Sequence, residues 1–342
     1  MVSIITPAFN AARFVRQTLD SARAQTFTDF ELLVADDGST DETAAIVHAY
    51  TQRDARIRLI RRSHQGVCAA RNAAITEARG QLLALLDSDD VWFPEYLAEQ
   101  VEIMRRRPDV AVLSANAINL GGALDGQTLF AWSRRSRLRK VSLQTLVRAE
   151  DSMSILVLMR REVVDAIGAF DVTLPRSEDY DLWLRAARAG FRIAVNAKPL
   201  GLYRRRPDSN SADEVRMLHA ITTALFKLRE RCSDTEIQLL VDRQVARLAR
   251  RALLVTARTA LLQGDRAQLQ TQFTALAETT GLMRYRVAGW LTNRAPGAVW
   301  WAYQCKQKLQ QLRKHGAAIG YRGTTTGWQI AATPNEQEQL NL

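Results

Sequence analysis

Over the first 115 residues, short apolar runs alternate with stretches of helical spacing, and two of the runs end directly in acidic clusters. The runs cover 2–6, 31–35, 56–60, 81–86 and 110–113, and the helical stretches cover 11–25, 41–50, 67–79 and 95–107. Thr40 or Asp41 stands ready to cap the second helical stretch, and Gly80 and Pro108 end the third and fourth. Continuous apolar runs separated by helices predict an α/β fold: a mostly parallel sheet, buried on both faces, with helices packed on each side. In such sheets ligands bind outside the carboxyl ends of the strands. The polar residues that follow each run are therefore the place to look for chemistry.

The rest of the chain is less regular. Residues 121–140 read as a polar loop, 154–159 as an apolar run, 179–189 as a helix ended by Gly190, 191–195 as a strand and 202–211 as a basic loop. From 213 the texture turns to Ala, Leu, Arg and Gln at helical spacing, with Gly264-Asp265 as the turn of an antiparallel helix pair. The expected division is 1–115 and 116–212 as two halves of one α/β unit, a helical appendage over 213–321, and a frayed tail over 322–342. Cys68, Cys232 and Cys305 lie far apart, which excludes a disulfide scaffold and a zinc cluster. The apolar start reads as a first strand rather than a signal peptide, and no run is long enough to span a membrane. A cytoplasmic protein is expected, with any membrane contact peripheral.

The net charge of +11 is uneven: −3 over 1–110, +6 over 111–210 and +8 over 211–342. Such an excess serves nucleic acid, an anionic membrane face or a phosphate-bearing substrate, or it is a solvated arginine-rich surface. Trp300-Trp301-Ala302-Tyr303, followed by Lys306, Lys308, Arg313 and Lys314, has the pattern of an interfacial helix. The same tryptophans also suit packing of the appendage. His48, His64, His219 and His315 share no motif.

Three acidic clusters carry the chemistry. Asp36-Asp37-Gly38-Ser39-Thr40-Asp41 follows the second run, Asp87-Ser88-Asp89-Asp90 follows the fourth, and Glu178-Asp179-Tyr180-Asp181 opens a helix. Helix capping accounts for any one of them alone. Two at one edge of a parallel sheet repel unless a cation or ligand donors compensate. Asp-x-Asp suits a hard divalent ion held through oxygen and a substrate's phosphates, as Mn²⁺ or Mg²⁺ prefers.

The ordered series VSIITPAFN, QTFTDFELLVADDGSTDET, GVCAARNAAITEARGQLLALLDSDD and SEDYDLWLRAARAG resembles the family 2 glycosyltransferases over roughly residues 1–210. The resemblance implies a GT-A fold, with 1–115 as the nucleotide-sugar-binding half and 116–212 as the acceptor-binding half. It also implies an inverting, non-processive transfer from a nucleotide-diphosphate sugar, most simply a UDP-sugar, to a cell-surface glycan or lipid-linked saccharide. By the same resemblance Pro7 and Phe9 pack the base, with Phe9 in a place usually held by Tyr, and Asp37 accepts from the uracil ring N–H. Arg71 faces the nucleotide or its phosphates, Asp87 and Ser88 line the donor site, and Asp89 binds the metal with Asp87 beside it. Asp179 matches the general base, with Glu178 and Asp181 able to raise its proton affinity. Asp181 is equally placed for an ion pair with Arg185, and Trp183 for a sugar platform or a core position.

Departures narrow the expectation. The QxxRW motif of processive synthases is absent, which favours addition of one sugar. In Tyr203-Arg204-Arg205-Arg206, relatives carry a His near the third arginine; Arg206 cannot ligate a cation, so it is expected to hold the diphosphate. A sugar nucleotidyltransferase or a dinucleotide-binding dehydrogenase would need a glycine-rich turn after the first run, and PAFNAAR has no glycine. A non-catalytic basic protein for nucleic acid or anionic lipid is the remaining alternative. Against it, the basic residues form no recognised nucleic-acid motif and the most motif-rich third is net acidic, so no nucleic-acid partner is expected.

Overall fold

The computed structural model describes residues 1–130, 138–209, 211–295, 297–300 and 302–304. Its first half alternates β1 (Val2–Ala8), α1 (Val15–Arg23), β2 (Phe30–Asp36), α2 (Thr43–Thr51), β3 (Ile57–Arg61), α3 (Val67–Glu77) and β4 (Leu82–Leu85). There follow β5 (Val91–Trp92), α4 (Tyr96–Arg106), β6 (Val110–Leu120), β7 (Leu138–Val141), α5 (Leu143–Arg148), β8 (Val157–Arg160) and α6 (Arg161–Ile167). Then come α7 (Glu178–Arg188), β9 (Arg192–Arg204), α8 (Glu214–Arg231), α9 (Thr235–Gln263), α10 (Arg266–Thr280) and α11 (Met283–Arg294).

The strands form one nine-stranded sheet in the order β3-β2-β1-β4-β8-β6-β9-β5, with β7 also on β9. β1 is parallel to β2 and β4, β2 to β3, and β6 to β9. β8 runs antiparallel between β4 and β6, and β5 and β7 run antiparallel to β9. All strands but β5, β7 and β8 therefore point the same way, as the unbroken apolar runs predict. β1 and β2 are buried along their whole length. The acid within the apolar run of β2, Glu31, accepts from Ser3 Oγ at 2.7 Å and from the Arg79 N–H at 2.6 Å. Burial works to raise its carboxyl, but these bonds and the Arg58 charge hold it below the ordinary value.

Two expectations change. The strand expected over 191–195 continues to Arg204, because β6 runs on to Leu120 and pairs Asn119 with Tyr203 and Leu120 with Arg204 across several bulges. The basic stretch over 202–211 is thus strand as far as Arg204 and loop over 205–209. Helices do begin at 214, but the compact units divide later, between Thr256 and Ala257. Leu218, Ile221, Leu225 and Leu228 of α8 and Ile237, Val241 and Leu248 of α9 are buried in the core of the first unit. In the second unit Ala257, Ala260 and Leu269 form a small core with Phe273 packed on it. Asp265 caps α10 by accepting from the Gln268 N–H at 2.9 Å. The expected tail over 322–342, Trp301 and the basic positions from Lys306 to Lys314 lie outside the described residues.

Among the described residues, no helix is long and apolar enough to cross a membrane.

Candidate active site

Because β1, β2 and β4 are parallel neighbours, the segments after them emerge side by side at one sheet edge. After β1, Asn10 adopts a left-handed conformation, φ +48°, and its Oδ1 accepts from the Thr40 N–H at 2.8 Å. Its own N–H donates to Ser39 Oγ at 3.0 Å, so the loops after β1 and β2 are tied together. Asp37 is buried and accepts from the Gly66 N–H at 2.7 Å and the Gln65 N–H at 3.1 Å. Gly38, φ +79°, makes this approach possible: a Cβ there would lie 2.9 Å from the His64 nitrogen. His64 Nδ1 sits 2.9 Å from Asp37 Oδ2, and its ring stacks on Phe9 with centroids 4.1 Å apart. Phe9 is 45% exposed, so this stack faces outward beside Asp37. Pro7 is buried within β1, paired with Ala35.

After β4 the second cluster meets arginines from two directions. Asp87 Oδ1 accepts from Arg71 Nη2 at 2.6 Å, and Asp89 Oδ2 accepts from Arg206 Nε at 2.9 Å. Arg204 Nε donates to the Asp89 carbonyl at 2.8 Å, and the Arg204 N–H donates to Asp90 Oδ1 at 2.8 Å. Both Arg204 and Arg206 lie over the Phe14 ring, at 4.7 and 5.0 Å. Burial, then the Asp87 charge, pushes the Asp89 carboxyl up, against the pull of Arg206. Asp90 is pushed well above its ordinary range by burial and by Asp89 and Asp87, and its buried Oδ2 has no hydrogen-bond partner. Ser88, between the two acids, is half-buried.

Arg71 joins this cluster to the third. It is buried in α3, with one guanidinium nitrogen on Asp87 and the other on Glu178. Burial works against its charge, but Asp87 and Glu178 outweigh that and keep it ionised. Next to it, Asn72 Nδ2 donates to the Phe170 carbonyl at 2.8 Å, and the Phe170 N–H returns a bond to Asn72 Oδ1 at 2.9 Å. The α3 helix thus clamps the segment that leads into α7. Asp179, in the first turn of α7, is pushed up to about 7 by burial and then by the Glu178 charge. Arg71 and the Tyr180 N–H, which donates to Asp179 Oδ1 at 2.8 Å, oppose the rise.

At this edge the structure sets Phe9 on His64 beside Asp37, ties Asp87 to Glu178 through Arg71, and pairs Asp89 with Arg206. Two candidates fall elsewhere. Asp181 turns to Arg185 Nε at 2.7 Å, the i,i+4 ion pair. Trp183 is 2% exposed, a core residue rather than a sugar platform. Arg71 faces two carboxylates, so any contact with phosphate is made from a guanidinium already committed to them. Sequence reading missed Asn10, His64, Asn72 and Arg204. A left-handed Asn directly after a strand was the one local signal; His64 had none, since only the fold sets it against Phe9. Removing the shared cation should be costly: Arg71→Ala is expected to destabilise the fold by about 3 kcal/mol, because buried Glu178 and half-buried Asp87 lose their partner. Urea unfolding of the variant checks this.

Residues 3–168 match the family described as glycosyl transferase family 2. The succinoglycan biosynthesis protein ExoO of Rhizobium meliloti is 34% identical over 222 residues, 61% of this chain and 62% of that protein. The UDP-Glc:alpha-D-GlcNAc-diphosphoundecaprenol beta-1,3-glucosyltransferase WfgD of Escherichia coli is 28% identical over 197 residues, 57% of this chain and 73% of that protein. The chain spans only 28% of an uncharacterized glycosyltransferase of Rickettsia bellii and 59% of one of Rickettsia prowazekii. Among solved structures, S. aureus TarS 1-349 in complex with UDP-GlcNAc aligns with TM-score 0.60 at 19% identity, covering 86% of this chain and 87% of that one. The mannosyltransferase PcManGT from Pyrobaculum calidifontis in complex with GDP-Man and Mn²⁺ aligns with TM-score 0.53 at 19% identity, covering 88% and 87%. These alignments establish the GT-A fold.

Proposed function

We propose, from the premise that residues 3–168 belong to glycosyl transferase family 2, that this chain moves one sugar from a UDP-sugar to a hydroxyl of a glycan or lipid-linked saccharide. The carrying observation is the Arg71 bridge: one guanidinium spans Asp87 of the Asp-x-Asp cluster and Glu178, the neighbour of Asp179. The donor's diphosphate and the base that activates the acceptor then lie on either side of one side chain. The exposed Phe9–His64 stack beside Asp37 supplies an aromatic face and a carboxylate for a pyrimidine base. In this reading the protein works in the cytoplasm, where nucleotide sugars are made.

The acidic cluster fits a divalent cation. Asp87 uses Oδ1 and Asp89 uses Oδ2 in their arginine contacts, which leaves the second oxygen of each available. Among the described residues no group of three His, Cys, Asp or Glu side chains forms a closed cage. Two carboxylates completed by water and a diphosphate is the arrangement Mg²⁺ or Mn²⁺ accepts. Asp89 and Asp87 would hold it, and the ion would neutralise charge on the leaving nucleoside diphosphate. Arg206 competes for Asp89 and is the natural counter-charge for the diphosphate once it moves. Arg206→Ala should therefore tighten Mn²⁺ binding severalfold without nucleotide, read by titration of the metal alone, while weakening UDP.

Asp179 takes the proton from the acceptor hydroxyl as that oxygen bonds to the anomeric carbon. The bond from that carbon to the diphosphate oxygen breaks, and its electron pair leaves with the nucleoside diphosphate. One displacement inverts the carbon, and one base suffices. Because Asp179 acts deprotonated and sits near 7, kcat/KM should rise about tenfold per pH unit below 7 and level off above it. A pH profile with no inflection between 6 and 8 would contradict that assignment.

The reading is tested by incubating the protein with UDP-sugars, Mn²⁺ and a polyprenyl-diphosphate saccharide. Sugar transfer with inverted anomeric configuration is expected. Retention of configuration, or no transfer with any donor, would oppose it.

A further inference from the structure

We propose that the exposed face of α11, in the second unit, docks on an anionic lipid surface. Met283, Val287 and Trp290 are 65%, 47% and 56% exposed, and their i, i+4, i+7 spacing puts them on one stripe of the helix. The opposite side is the packed one: Gly289 and Thr292 are buried, and a Cβ on Gly289 would meet Phe273 of α10 at 3.4 Å. Large apolar side chains held out on one stripe, including a tryptophan, match a helix that lies in a membrane interface.

Charge selects the partner. Arg284, Arg286 and Arg294 are all exposed on α11. Arg294 lies over the Trp290 ring at 5.3 Å. Arg286, Trp290 and Arg294 also line a groove against α10 with Gln270, Thr274 and Glu278, the one acid there. Beyond Glu278 the sequence has no Asp or Glu until Glu336, while it carries eight Lys and Arg. Arginines flanking an apolar ridge meet phosphate headgroups while the ridge enters the acyl boundary. A nucleic acid would use the arginines but has no place for Met283 and Val287. The basic aromatic pattern noted after Trp300 continues the same trend in sequence, but α11 is where the structure displays it. A membrane-resident acceptor gives this surface its purpose, and the inference rests on the proposed function for that purpose only.

The test is co-sedimentation of the full chain with vesicles of phosphatidylglycerol and of phosphatidylcholine. Binding to the anionic vesicles alone, weakened by salt, is expected. M283S/W290S should reduce that binding at least fivefold, and R284Q/R286Q/R294Q should abolish the preference for anionic lipid. UDP titration of the same variants should be unchanged, which separates failure of this surface from failure of the catalytic reading. No binding to either vesicle by folded protein would overturn the proposal. So would binding indifferent to Met283 and Trp290, or a preference for duplex RNA or DNA that ignores both residues.

Discussion

Asp179→Asn is expected to lower the transfer rate by about 10²–10⁴-fold, the range that a positioned general base supplies, while UDP still binds. Asparagine keeps the shape of the side chain and can still accept from the Tyr180 N–H through its Oδ1. It cannot take a proton. The wild-type carboxyl is suited to that task because burial and the Glu178 charge raise it to about 7, and Arg71 keeps it from rising further. Glu178→Gln provides the contrast. It removes the negative neighbour and leaves Arg71 with one acid fewer, and both changes favour ionised Asp179. The midpoint of the pH profile should move below 7 in that variant, with activity retained above it. A single-turnover assay across pH, with both variants checked for folding by circular dichroism, reads all of this. Full activity in Asp179→Asn would remove the residue from the mechanism.

Asp89→Asn carries the second large effect. The amide can still accept from Arg206, so the loop beyond β9 keeps its anchor. What is lost is one negative charge and, in the proposed site, a hard oxygen ligand. Mn²⁺ should then no longer strengthen UDP binding, and transfer should fall by at least about a hundredfold, the scale seen when one electrostatic stabiliser of a developing charge is removed. Asp90 behaves differently. One of its oxygens holds the Arg204 N–H and the other is buried without a partner. Asp90→Asn should leave metal dependence intact. Titration of UDP into each variant, with and without Mn²⁺, distinguishes the two neighbours.

Much of the sheet and most of the site were legible in the chain, for identifiable reasons. β1, β2 and β4 are buried along almost all of their length, so their residues are mostly apolar and the acidic clusters at the ends of β2 and β4 stand out. The α7 helix announced itself through Glu178 and Asp179 in its first turn and Gly190 after it. Long-range contacts were not legible. The extension of β9 to Arg204 depends on β6 continuing beside it, and nothing in LYRRR itself distinguishes strand from loop. Arg71 reads as a helix arginine until the fold places Glu178 and Asp87 at its two nitrogens. His64 carries no local signal, and Gly38 alone allows the chain to bring it beside Asp37. Trp183 and Asp181 sat in a motif-rich segment, yet α7 turns both inward. The passage from 212 to 213 is a true change of texture, but the apolar stripe of α8 belongs to the first unit's core. Composition marks where helices begin, whereas packing decides which core they join.

The central claim is that the edge formed after β1, β2 and β4 binds a nucleoside diphosphate with a divalent cation. Calorimetric titration of UDP, with GDP and dTDP as comparators, in the presence and absence of Mn²⁺ tests it most directly. Binding of UDP that Mn²⁺ strengthens at least tenfold, with the comparators weaker, is the predicted result. Folded protein that binds none of the three, with or without Mn²⁺, would contradict it.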